Sequence, residues 1–503
     1  MRVNQLKGGA ALSYINIFLT NILGLILTPF IIKSLGSAEY GLYTMIGALV
    51  GYLSVLDFGL NNTIIRFVAK YRAERNSRGE ENFLAHSFII YGFISSCIIL
   101  LGVIAYPRLG EIFEGNLLNE QLQKAEIMFA ILIFNLAISL PGGALGGICN
   151  GYEEFILPKV VAIIKYVIRV CLIFFILFRG GDSISIVVID TILNLVIIII
   201  NAYIVFRRLK VKIKLHSFQK TLLKSILGFS IWLFVFALVH QLRWQFGQFI
   251  LGIHYTTTIV AIYAVGITLG NYYGAFSSAI ESVFLPRAMQ MTVDKASSME
   301  LTNMFIKISR IILYILLFIL GGFVLVGRDF VFFWVGEEFD AAYYYALIIM
   351  VGLTPTLSQG FANNILEARN YLAYRGRLIL ALTFLGVVVG FYLAKKFGVT
   401  EMILGTVGFI FLERIVMIPY YKSKASLNMK RYYKEILPLF LSLSVLLLIF
   451  LTMNYFLPNR NLYIIFANII GFTFGYVLLN YRFMTPFEKN LLKTSVKKVY
   501  SKA

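Results

Sequence analysis

Along most of the chain, apolar runs of about twenty residues alternate with short polar connectors. The runs begin near Ala10, Tyr40, Phe83, Ile127, Phe155, Ser183, Ser225, Thr257, Met304, Tyr343, Leu378, Met402, Ile436 and Leu462. Each is long enough to cross roughly 30 Å of hydrocarbon as a helix. The pattern therefore predicts an all-α multi-pass membrane protein with about fourteen transmembrane helices. Alternate connectors are basic: "RRLKVKIKLHSFQKTLLK" (Arg207 to Lys224) and "YKSKASLNMKRYYK" (Tyr421 to Lys434) stand against the acidic "GRDFVFFWVGEEFDAA". By the positive-inside rule both termini are expected in the cytoplasm, with Lys395 and Lys396 as the exception. The first run follows Arg2 and Lys7 without a small-residue cleavage motif, so it reads as a retained helix.

Composition narrows the class. With 59% hydrophobic and 14% charged residues and a mean hydropathy of +0.81, a water-soluble domain is excluded. The net charge of +20 raises nucleic acid as a partner, but the cations punctuate apolar runs instead of covering one face, so none is expected. Cys97, Cys149 and Cys171 lack CxxC spacing and read as small packing residues. No GxGxxG, Walker loop or HExxH occurs, so no enzyme, metal or cofactor is predicted. The longest outer connector, about Tyr106 to Lys124, is too short for a folded domain.

A repeat of about 220 residues organises the chain. Pro141, Gly146, Asn150 and Glu153 recur at identical spacing as Pro355, Gly360, Asn364 and Glu367. "FIIKSLGSAEYGLYTMIG" (Phe30 to Gly47) is echoed by "FILGIHYTTTIVAIYAVG" (Phe249 to Gly266). The expected domains are an N-terminal lobe over 1–215, a C-terminal lobe over 216–424, and an appended helix pair with a basic tail over 425–503. Six spans per copy give parallel repeats, two lobes on either side of a cleft.

Polar residues at helical spacing mark faces turned from lipid. Asn16 lies on span 1, Gln245 on span 7, Asn271 on span 8 and Gln359 on span 10. Small-residue stripes serve close helix packing equally well, but here they recur in both copies. The chemically sharpest stretch is KYVIR, where Lys165 and Arg169 sit one helical turn apart inside span 5. A lone cation at helix centre costs about 2.5 to 3.5 kcal/mol, so compensation is required. Asp190 in the next span matches Arg169 in depth and is the expected partner. Lys165 is left without an obvious one, which points to an anionic substrate. Arg243 inside span 7 reads the same way. Arg66 and Arg287 are either interfacial anchors or a gate for phosphate. Asp57, Glu281, Asp190 and His240 are candidate coupling or gating groups.

The stretch "GSAEYGLYTMIGALVGYLSVLDFGLNNTIIRFVAKY", with its E-Y-G-L-Y and L-D-F-G-L elements, resembles the start of Wzx-type lipid-linked oligosaccharide flippases. That polysaccharide-transport family belongs to the multidrug/oligosaccharidyl-lipid/polysaccharide exporter (MOP) superfamily. "ILGIHYTTTIVAIYAVG" is similar to a second family element. Many relatives carry Asp-Arg just before it, where this chain has Gly247-Gln248, so no role is carried over to Gln248. The resemblance implies alternating-access translocation of an undecaprenyl-diphosphate-linked oligosaccharide to the outer leaflet of a bacterial cytoplasmic membrane. It also implies contact with membrane lipids, and a polysaccharide polymerase or glycosyltransferase as partner. The alternative is an ion-coupled multidrug exporter of the same superfamily, whose cationic cargo would favour carboxylates.

Overall fold

A computed structural model describes residues 5–113, 117–294, 296–369, 371–456 and 462–490. Among these residues there are helices and connectors but no strands. In chain order the α-helices are α1 (Gln5–Leu35), α2 (Ser37–Leu53), α3 (Leu60–Ala73), α4 (Ser77–Ala105), α5 (Leu109–Ile112), α6 (Asn119–Gly151), α7 (Ile156–Phe178), α8 (Ser183–Tyr203) and α9 (Lys220–Trp244). They continue as α10 (Phe246–His254), α11 (Thr257–Val293), α12 (Ser298–Val335), α13 (Asp340–Ser358), α14 (Gly360–Ala368), α15 (Leu372–Lys396), α16 (Val399–Lys424), α17 (Met429–Phe456) and α18 (Leu462–Phe483). Every predicted run falls on one of these helices. Among the described residues thirteen stretches are long and apolar enough to span a bilayer. The seventh predicted run falls on α9, where several side chains lie outside the described residues.

The chain divides into two compact units, residues 1–264 with 379–402, and residues 265–378 with 403–503. In the first unit the E-Y-G-L-Y element explains itself. Glu39 accepts a hydrogen bond from Ser183 N at the start of α8 (2.8 Å) and pairs with Lys124 Nζ at 2.9 Å. It thereby neutralises a helix N-terminus and ties three helices together. Gly41 lies so close to the Thr257 carbonyl that a Cβ would overlap it. Only glycine permits that approach of backbones. Tyr43 turns its hydroxyl to Arg169.

The L-D-F-G-L element is a break in span 2. After α2 the chain makes a 3₁₀ turn over Ser54–Asp57, then Phe58 and Gly59 take left-handed conformations (φ 50° and 66°) before α3 begins. Such a break frees carbonyls that lipid cannot satisfy. α9 supplies the remedy, because Gln241 Nε2 donates to Gly51 O and to Ser54 Oγ (3.0 Å). Phe234 of the same helix stacks on Phe58 at 4.6 Å.

In the second unit the proline repeat diverges from its first copy. α6 runs unbroken through Pro141, whereas beyond Pro355 the helix stops at Ser358 and restarts at Gly360. Released groups are met by side chains: Ser277 Oγ donates to Leu357 O (3.0 Å), Ser309 Oγ to Ser358 O (2.6 Å) and Ser358 Oγ to Pro355 O (3.0 Å). The restart is closed by the Glu281 carboxyl, which occupies the space a Cβ on Gly360 would need.

Candidate functional site

In the first unit, α7 and α8 place the KYVIR charges against a polar ladder. Arg169 grips Asp190 bidentately, Nε to Oδ1 and Nη2 to Oδ2 at 2.9 Å. The expected pairing is present. Its two side chains are 19% and 24% exposed, so the pair is sheltered without being sealed. Lys165 corrects the sequence expectation, since it has a partner: Nζ donates to Asn194 Oδ1 on α8. Asn194 Nδ2 in turn donates to Asn135 Oδ1 at 2.9 Å and lies 3.5 Å from Ser139 Oγ on α6. The sequence could not name Asn194 because an amide carries no charge signal, and its rotation about α8 decides which helix it faces. Tyr166 OH donates to Thr20 O of α1 at 3.2 Å. The ladder therefore holds two cations, one carboxylate and neutral amides, and its net charge is positive.

Arg243 also has a partner, contrary to the reading of it as unpaired. Its Nε donates to Thr383 Oγ1 at 2.9 Å, within the same unit. Asp57 accepts from Tyr91 OH at 3.0 Å, at the break in span 2. His240 is exposed, with its ring 6.5 Å from Trp244. Gln245 is the single residue between α9 and α10. Asn16 is half-buried on α1, and its carbonyl accepts from Thr20 Oγ1 at 2.8 Å. Arg66 is exposed on α3.

In the second unit Glu281 accepts from Ser277 Oγ at 2.9 Å, and Arg375 and Arg414 act on it electrostatically. Gln359, at the break, is 1% exposed; its Nε2 reaches Tyr433 OH at 3.5 Å while Oε1 has no hydrogen-bond partner among the described residues. Asn271 is exposed on α11. The Arg287 side chain lies outside the described residues.

Two buried charge sets escaped the sequence reading. Glu413 and Arg414 pair on α16 beside Tyr421, whose hydroxyl donates to Asn363 Oδ1 at 2.8 Å. Arg310 of α12 bonds Glu488 beyond α18. The doublet in "FLERIV" and the arginine in "ISRIIL" were the available signals. Among the described residues no three His, Cys, Asp or Glu side chains are grouped to hold a metal.

A family model described as polysaccharide biosynthesis protein matches residues 6–292. A putative O-antigen transporter of Shigella flexneri is 24% identical over 267 residues, covering 51% of this chain and 60% of that protein. The chain thus spans about three fifths of the curated relative it matches. Among solved structures, the lipid II flippase MurJ in an inward closed conformation aligns with a TM-score of 0.70 at 14% identity, over 95% of this chain and 99% of its own. An inward-facing multidrug resistance MATE family transporter of the MOP superfamily aligns with a TM-score of 0.67 at 16% identity, over 81% and 94%. These likenesses show a shared fold. With the family match taking in more than half of its length, the chain belongs to the polysaccharide biosynthesis protein family and is built on the fold of the MOP superfamily.

Proposed function

We propose that this protein flips a polyprenyl-diphosphate-linked oligosaccharide from the cytoplasmic to the outer leaflet of a bacterial membrane by alternating access, as a step in cell-surface polysaccharide assembly. The observation that carries the reading is the positive excess on α7 and α8: Lys165 and Arg169 answer to the single carboxylate of Asp190. A diphosphate would supply the missing negative charge, exchanging the neutral Asn194 for a charge-assisted bond to Lys165. Asn16, Gln245, Asn271 and Gln359 offer amides for sugar hydroxyls, with Arg243, Arg66 and Arg287 as further cations on the path. The moving bodies are the two repeat halves, 1–215 and 216–424, with 425–503 carried by the second. Asp57, Glu281, Asp190 and His240 are the coupling or gating groups, each a titratable side chain. Both termini are cytoplasmic, and a polymerase or glycosyltransferase takes the product onward.

The test is lipid extraction from cells with and without the gene, with mass spectrometry of diphosphate-linked glycans. A glycan that accumulates on the cytoplasmic side of the deletion strain supports the reading, and its mass names the cargo. If no glycan accumulates and the cells instead retain cationic dyes, multidrug export replaces it. The carboxylates Glu281 and Glu413 in the second unit are what favours that second reading.

A further inference from the structure

The connector between α8 and α9 is an ordered strap with one basic face. Val211 N donates to Val205 O at 3.1 Å, and from there Val211 is buried and Ile213 half-buried while Lys210, Lys212 and Lys214 are exposed. Lys210 turns the chain with a left-handed backbone (φ 54°), and the alternation from Val211 to Lys214 is the period of an extended chain, which puts Lys212 and Lys214 on the same side. The strap is fastened to the start of α4. Asn82 Oδ1 accepts from His216 N and Ser217 N (2.9 and 3.1 Å), and Glu81 pairs with the His216 ring at 2.7 Å. His86, fully buried, accepts from Gln219 N at 3.1 Å through Nε2, and its Nδ1 bonds Asn82 O at 2.8 Å. Phe218 stacks on that imidazole at 5.3 Å yet remains 60% exposed, beside exposed Leu215. Lys220 and Lys224 extend the charge into α9. The nearby carboxylates are committed, Glu81 to His216 and Glu154 to Arg208. Among the described residues none pairs with Lys210, Lys212 or Lys214.

We propose that this strap is a docking face for anionic phospholipid headgroups, with the three lysines on phosphates and Phe218 and Leu215 in the interfacial layer. Charge complementarity selects the partner, and the apolar pair beside the lysines selects a bilayer over a soluble acidic protein. The strap leaves α8 and enters α9 within a few residues of the hydrocarbon, so its exposed face meets the headgroup layer. Cations near an anionic leaflet are attracted within a Debye length, and exposed aromatics settle at the interface. The inference rests on the placement of this connector in the cytoplasm.

Phe218→Trp in the full-length protein with Trp232, Trp244 and Trp334 replaced by Phe, reconstituted with bromine-labelled lipid, reports which headgroup sits there. Quenching by bromine-labelled phosphatidylglycerol is expected to exceed that by bromine-labelled phosphatidylcholine by roughly threefold or more at low salt. The preference should fall towards unity in 0.5 M salt and in a Lys210→Gln/Lys212→Gln/Lys214→Gln background, as screening predicts. Equal quenching by both lipids, or a preference that survives the triple substitution, overturns the proposal. No quenching by either also overturns it, and points to a soluble acidic partner. Maleimide labelling of Ser217→Cys in a background with Cys97, Cys149 and Cys171 replaced by Ser, in sealed vesicles of each orientation, separates the causes of failure. Labelling only from the extracytoplasmic face refutes the cytoplasmic placement, whereas labelling from the cytoplasmic face with equal quenching refutes lipid recognition alone.

Discussion

Two arginine–carboxylate pairs, one in each unit, share their chemistry and differ in kind. Arg310 and Glu488 are 4% and 5% exposed, and every guanidinium nitrogen is occupied. Nε donates to Glu488, Nη1 to Glu435 O, and Nη2 to Tyr314 OH, Phe483 O and Glu488. The carboxylate also accepts from Thr485 N at 2.7 Å, the capping contact of the short helical turn opened by "TPFE". Arg169 and Asp190 are four to five times more exposed and stand beside Lys165, whose partner is only an amide. A saturated, sealed pair has no capacity left for a ligand, so Arg310 fastens α12 to the segment after α18. An open pair with a surplus cation retains that capacity.

Removing one partner tests this contrast most severely at the sealed pair. Glu488→Gln strands a buried guanidinium and should cost about 3 to 5 kcal/mol at neutral pH, read as a fall in Tm of the detergent-purified protein. The effect should depend on pH. Burial alone would raise the Glu488 carboxyl, but the Arg310 and Thr485 hydrogen bonds outweigh it and hold it below its usual value near 4.5. Stability from a depressed carboxylate is present above the unfolded pKa and is lost as pH falls through the folded one. The gap between wild type and Glu488→Gln should therefore be constant above pH 5 and narrow below 4.5. A gap that is flat down to pH 3 would show that the charge does not hold the clasp.

Asp190→Asn should cost less, about 2 to 3 kcal/mol, because water reaches the open pair. Arg169→Leu combined with Asp190→Leu should recover most of that loss while abolishing glycan-lipid export. If the double variant exports normally, the pair is a fastener like its counterpart and the contrast fails.

The broken repeat offers a gentler comparison. Gly360→Ala should cost about 1 to 2 kcal/mol by displacing the Glu281 carboxyl, and should reduce transport as Glu281→Gln does. Gly146→Ala, at the matching position, meets nothing nearer than Asn201 Nδ2 at 3.9 Å and should change stability by less than about 0.5 kcal/mol. Equal effects at both sites would erase the difference between the copies.

Lys165→Met should change stability only slightly, within about 1 kcal/mol, since the Asn194–Asn135 bond survives it. Transport should nevertheless fall at least tenfold if the surplus cation meets a diphosphate. Export at the wild-type rate by a well-expressed variant would remove the anion site.

Counted on from Pro141 and Pro355, the positions of Lys165, Arg169 and Asp190 fall in the second copy at Ile379, Thr383 and Leu404. None is charged, and Thr383 instead receives Arg243 from α9. The copies share an apolar frame and have diverged in chemistry. The sequence disclosed the frame and the divergence, and also the Arg169–Asp190 match, because depth along a helix is linear in residue number. It placed Asp57 near the end of span 2 but not the left-handed break beside it, since Phe58 at φ 50° is held there by Phe234, a residue far away in the chain.

Hydropathy, charge asymmetry and repeat spacing by themselves determined that this is a multi-pass helical membrane protein and where its helices lie, while the E-Y-G-L-Y and L-D-F-G-L elements carried its resemblance to Wzx-type proteins. These are one-dimensional properties: burial in lipid is decided for each helix by its own composition. Only the tertiary structure decided that Lys165 meets Asn194, that Arg310 meets Glu488, and that the second copy breaks at Gln359 where the first runs on through Pro141. Those outcomes depend on rotation about each helix axis and on side chains from distant segments, and neither is written in any local stretch of sequence.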